Sequence, residues 1–316
     1  MIDGMSRWKI TLRVGLVSGV VVAVLAVSAA GKEARPPTWS RDVLDAFFED
    51  ARDKLEGSRP DYGAAAEREH IAEASPTAAG GDTEYAWSKL ISADALEMEV
   101  KRLSQSVAGT VTSPSSFKGG GYKAARRDFS ELAVLFGVTA QYDGEARWKD
   151  AAAGLRELFS RAAADAKVGS DESYREAVVR KADLAELVRG GRPQSPKAEA
   201  GVTDWSQVAG RAPLMQRLEI AHQERLTKWL ADAATFRRNQ RDVAHEAQVV
   251  AVLADVIHRE SFEYWDDETF VGYAGELRDA ATDVSAAAAA NNFEQARSAI
   301  DRATKACADC HDGYRG

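Results

Sequence analysis

Between residues 83 and 312 the apolar residues of this chain fall three and four apart, stretch after stretch. Leu96, Val100 and Leu103 open the series, and Phe129, Leu132 and Phe136 follow. Next come Trp148, Ala152, Leu155, Phe159 and Ala162, then Tyr174, Val178, Ala182, Ala185 and Val188. Such steps put one apolar stripe on each α-helix and do not fit the alternation of a half-buried strand. The stretches SPSSFKGGGY, YDGE and KVGSDES break the pattern between stripes, so four helices are expected over 83–188. Only 8 prolines occur in 316 residues, as long helices require.

After RGGRPQSPKAEAG, read as part of a linker over 189–206, a second set begins. Its first stripe is Leu218, Leu226, Trp229, Leu230 and Ala233, and its second Val243, Ala247, Val250, Ala254 and Ile257. The third is Phe270, Tyr273, Leu277, Ala281 and Val284. The fourth is Phe293, Ala296, Ile300 and Ala303, ending in Cys307, Cys310 and His311. The two sets repeat. AVLFGV (133–138) matches AVLADV (251–256) in four of six positions, 118 residues on, and GLREL resembles GELRDA. The offset then grows, because the second copy has a longer turn near HRESFEYWDDE. The expected fold class is all-α: two tandem antiparallel four-helix bundles, 83–188 and 207–316.

The first 30 residues differ. Arg7, Lys9 and Arg13 precede the uncharged apolar run VGLVSGVVVAVLAVSAA, which ends in small residues. This reads as an export signal peptide or, uncleaved, a membrane anchor. Either places the remainder outside the cytoplasm, in a periplasmic or otherwise exported setting. Residues 31–82 read as an N-terminal extension with one helix over 38–56, capped by Ser40. The net charge of −8 argues against a nucleic-acid partner. Charge pairs along the helices read as solvated faces.

Both cysteines of the chain sit in KACADCHDGYRG at its end, as C-x-x-C-H. This is the covalent attachment motif of c-type haem. On a helix, positions i, i+3 and i+4 share a face. Cys307 and Cys310 can then reach two vinyl groups of one porphyrin, and His311 can serve as axial iron ligand. A thiol-redox pair would sit where a strand opens a helix. A zinc site would need further ligands, yet His70, His222, His245 and His258 are scattered. His245 and His258 read as solvated residues of the second helix of this set. The first set ends in RKADLAELVRGG, with no Cys or His, and Met98 is its one soft ligand, so it is expected to be haem-free.

CADCHDGYR, with Tyr314 and Arg315 after the motif, resembles the C-terminus of the cytochrome c-prime family: haem motif, two residues, an aromatic, then Arg or Lys. The resemblance covers 207–316. It implies one covalent haem c in a four-helix bundle, with the first helix closing the distal side of the iron. It implies electron transfer with a redox partner protein or binding of a diatomic gas such as NO or CO, as sensor or scavenger. It implies no enzyme activity; a peroxidase would need a distal acid–base pair, and none is recognisable. Relatives pair as dimers through helix faces, a role the first bundle could take within this chain. Three residues could face the iron's sixth position. Met215 or His222 would ligate it, and Leu218 would cover it and leave it open. Arg315, four residues after His311, could lie near the proximal pocket or a haem propionate, or serve as a solvated cation at the helix end.

Overall fold

Each of the eight apolar stripes becomes a helix. The computed structural model describes residues 86–201 and 204–315, all within the compact unit Ala79–Gly316. The expected signal or anchor, the extension with its 38–56 helix, and His70 lie outside the described residues. The first four helices are α1 (Ala93–Thr110), α2 (Tyr122–Ala140), α3 (Lys149–Asp165) and α4 (Asp171–Val188). Next is α5, Arg211–Glu219, prolonged through wide π-type turns over Ile220–Leu226 and a last turn at Thr227–Trp229. Then come α6 (Ala233–Val256), α7 (Glu268–Ala289) and α8 (Phe293–Tyr314). Every regular element among the described residues is helical, and none is long and apolar enough to cross a membrane.

The helix starts follow from local chemistry. Ser92, Ser170, Asp232, Asp267 and Asn292 each accept hydrogen bonds from the exposed N–H groups of the first turn. Ala233, counted above with the α5 stripe, instead opens α6. Asp232 takes the N–H groups of Ala234 and Thr235, which starts a new helix there. Consecutive helices joined by short turns pack side by side and so run antiparallel.

The first half fills its interior with rings: Phe136 stacks on Phe159 at 5.5 Å, and Phe129 lies 6.1 Å from Phe159. The two halves share one continuous core, with α2 against α5 and α1 against α6. Counterpart residues of the repeat meet each other at this seam. Trp87 packs edge-on against Trp205 at 5.7 Å. Arg217 donates to Glu99 at 3.3 Å, from 118 residues away. A residue that meets its own counterpart marks a two-fold axis, as in an isologous dimer. The same loop bond occurs in both copies: Ser88 N–H donates to Asp143 at 2.8 Å and Ser206 N–H to Ser261 at 3.1 Å, each 55 residues on.

The segment between the halves is laid down on the protein. Arg156 donates to the carbonyls of Glu199, Ala200 and Gly201 at 3.0, 3.3 and 3.2 Å. Asp204 then caps a single helical turn, Trp205–Val208, and Trp205 is buried. Its ring lies so close to Gly137 that a Cβ there would stand 3.0 Å from it, so any larger residue would push the ring back by a few tenths of an ångström.

Candidate haem-attachment site

The C-x-x-C-H motif lies in the last turns of α8. Ala296, Ala299, Ile300, Ala303 and Ala306 form the buried stripe of this helix, and Cys307 continues it. Cys307 is half-buried and borders an apolar cavity of about 20 Å³. All four helices of the second half line it: Leu218, His222 and Leu226 from α5, Val250 from α6, Ala281 from α7, and Ile300 from α8. Cys310 is half-buried and His311 is exposed.

Both cysteines are free thiols. Burial, with the neighbouring Cys310, pushes the Cys307 thiol up to about 11. Burial also raises Cys310, against the opposing pull of Arg211. Neither thiol is activated as a thiolate nucleophile, as redox or nucleophilic chemistry would need. The residue types fit covalent haem better: two thiols and an imidazole in the last turns of one helix, of which Cys307 alone opens onto the apolar interior while His311 faces solvent. The void has room for about one water. Haem attachment therefore requires α5 and α8 to stand further apart than they do here. What joins them is polar and local: His222 Nε2 lies 2.8 Å from Thr304 Oγ1, and Arg297 donates to the Leu230 carbonyl at 2.9 Å.

Of the three distal candidates, the structure brings two to the cavity. Leu218 is buried and His222 is half-buried, and both border the same space as Cys307. Burial lowers the His222 pKa below the ordinary histidine value. His222 and Leu226 follow Leu218 at steps of four, which keeps all three on one helical face, and that face lines the cavity. Met215 packs on the core but does not line this space.

Three readings are corrected. Arg315 is not one turn further along the same helical face. Helix α8 closes at Tyr314, and Arg315 is extended and exposed. Tyr314, in the last turn, docks edge-on against Tyr264 and Phe270, at 5.1 and 5.4 Å. His245 is not solvated: it is buried, and its Nε2 lies 2.7 Å from Glu99 Oε2. His258 lies past the end of α6, half-buried, with Nδ1 3.0 Å from the Ala254 carbonyl. Met98, the soft ligand of the first half, is 48% exposed on α1.

Sequence reading missed Arg211, the first residue of α5. Its guanidinium lies over Phe270 at 4.9 Å and Tyr264 at 5.4 Å, and it faces Cys310 closely enough to affect its titration. Its Nε is buried with no hydrogen-bond partner. The signal was its place two turns before Leu218, on the same side of the helix. Comparison with known proteins adds no relative: no family model, curated protein or solved structure matches this chain.

Proposed function

We propose that this chain is an exported one-haem c-type cytochrome that works in electron transfer. The observation that carries the reading is Cys307 of C-x-x-C-H, on the last helix, opening onto the apolar interior of four helices. Cys307 and Cys310 would hold haem c as thioethers, and His311 would be the axial iron ligand. When bound, the haem supplies an iron that exchanges electrons and can take a diatomic gas. The residues of this chain set its surroundings. Leu218, Leu226, Val250 and Ile300 exclude water from the interior side, and such a shell controls potential and access. Arg211, whose guanidinium donates to the Glu263 carbonyl and lies 3.7 Å from its carboxylate, adds positive charge near Cys310. The first half, without Cys or His in α4, carries no haem. The cytochrome c-prime-like resemblance agrees with this site but does not reach beyond the second half. The acidic chain has no use for nucleic acid, and its partner is a redox protein.

A specific observation favours a second reading. Leu218 borders the cavity and Met215 does not, while His222 is engaged by Thr304. With no strong ligand on the distal side, the iron would be five-coordinate and bind NO or CO as sensor or scavenger. Optical spectra of the ferrous protein with and without CO separate the two. A low-spin spectrum indifferent to CO means a carrier; a high-spin spectrum that shifts with CO means a gas-binding protein.

A further inference from the structure

Arg217 and Leu218 are neighbours on α5 and diverge by about 100° around it. Leu218 lines the cavity shared with Cys307. Arg217 points into the seam between the halves and is only 2% exposed. Its Nε donates to both carboxylate oxygens of Glu131, at 2.8 and 2.7 Å. Its Nη2 donates to Glu99 at 3.3 Å, and its Nη1 to Glu246. Glu99 stands on α1 and Glu131 on α2, so two of its three carboxylates come from the half without cysteine. All three are fully buried.

A guanidinium held by three buried carboxylates cannot turn or slide without leaving a buried charge unpaired. It therefore pins this turn of α5. Directly after it the helix widens into π-type turns, where the ordinary helical ladder is interrupted and register needs outside support. His222 lies in those turns, borders the cavity and meets Thr304 of α8 at 2.8 Å. We propose that the haem-free half positions the distal side of the haem pocket: Glu99 and Glu131 hold Arg217, and Arg217 sets where Leu218 and His222 stand. Arg217 is a positioning residue, since it reaches the pocket only through its neighbours. The proposal rests on the haem reading above.

The test uses the full chain loaded with haem and compares Glu131→Gln, Arg217→Lys and Leu184→Ala. The readout is the CO association rate of the ferrous protein or, where the wild type is low-spin, the fraction of low-spin haem. Glu131→Gln weakens the grip on Arg217. Arg217→Lys keeps the charge and loses the planar fork. Leu184→Ala opens the core of the haem-free half on α4, away from α5. The two seam variants should change the readout by about 2- to 30-fold, the span of couplings carried through packed elements. Leu184→Ala should lower the melting temperature and leave the readout at the wild-type value. Seam variants that melt lower but bind CO as the wild type does would overturn the proposal. So would Leu184→Ala moving the readout as far as they do. A wild type with no covalent haem overturns the haem reading instead, and mass or colour shows that before any variant is compared.

Discussion

The two halves share a helix plan and differ in how they fill it. In the first, α2 contributes Phe129 and Phe136, which meet Phe159 of α3, and α4 closes the core with Leu184 and Leu187. In the second, the places of those two phenylalanines on α6 are held by Ala247 and Ala254, one turn either side of the cavity-lining Val250. Helix α8 is likewise lined with alanines up to Cys307. One half is filled by its own side chains. The other places alanines where the first has rings, and packs them closely enough that the void beside its cysteine holds about one water.

The sharpest break of this comparison is to remove what makes the second half different. Cys307→Ala with Cys310→Ala should abolish covalent haem entirely. Helical content by circular dichroism should stay close to that of the wild type, because the first half and the seam need no haem. Retained covalent haem would mean attachment elsewhere.

Next in size is the seam that holds the halves together. Arg217→Ala leaves Glu131 buried without the cation that pairs with it and takes one cation from Glu99 and Glu246, which keep Arg102 and, for Glu246, Arg225. Breaking a buried ion pair from one side costs about 3–5 kcal/mol. Denaturant unfolding should show that loss, and two transitions should replace one if the seam alone makes the halves cooperative.

The same cluster gives a pH dependence. Burial opposes ionisation of Glu99 and Glu246. Against it, the His245 hydrogen bond with Arg217 and Arg102 holds Glu99 well below the ordinary glutamate value, and Arg217, Arg102 and Arg225 lower Glu246. Their stabilisation is in place above the unfolded value of about 4.3 and is lost as pH falls through the lowered values. Glu131 runs the other way: burial, then the nearby Glu99 charge, raise its carboxyl well above that range despite Arg217. Its contribution is present below the unfolded value and fades as pH rises through the raised one. The stability gap between wild type and Glu131→Gln should therefore narrow as pH rises. A gap that widens would contradict this assignment.

The smallest effects compare the halves directly. Ser170 caps α4 in the first half and Asp232 caps α6 in the second. Replacing either by Ala should cost about 1 kcal/mol. Equal losses in one shared thermal transition would show that the halves unfold together; a loss seen in only one of two transitions would show that they do not.

The helices were legible because a 3.6-residue period leaves its mark wherever one face is buried and the other wet. What failed were charges on helices buried on both faces. Nothing in the sequence marks Glu99, Glu131 and Glu246 as buried, because their stripe-side neighbours already supply a core and sequence does not show a second half packed on the opposite face. His245 was misread in the same way. The docked linker was hidden too: Trp205 is an isolated aromatic after a Gly, Pro and Ala stretch, and its pocket is made by Gly137, a residue far away in the chain. The attachment motif needed no structure, since its chemistry is local to one helix. Its distal candidates did, because only the packing of α5 among its neighbours shows that Leu218 and His222 line the cavity and Met215 does not.

The central claim is that Cys307 and Cys310 carry one haem and the first half carries none. Intact mass of the full chain, produced in a host with a haem c maturation system, tests it most directly. The account predicts a mass above that of the polypeptide by one haem, with both thiols unreactive to alkylation under denaturing conditions. A chain at its bare polypeptide mass with two alkylatable thiols would contradict it.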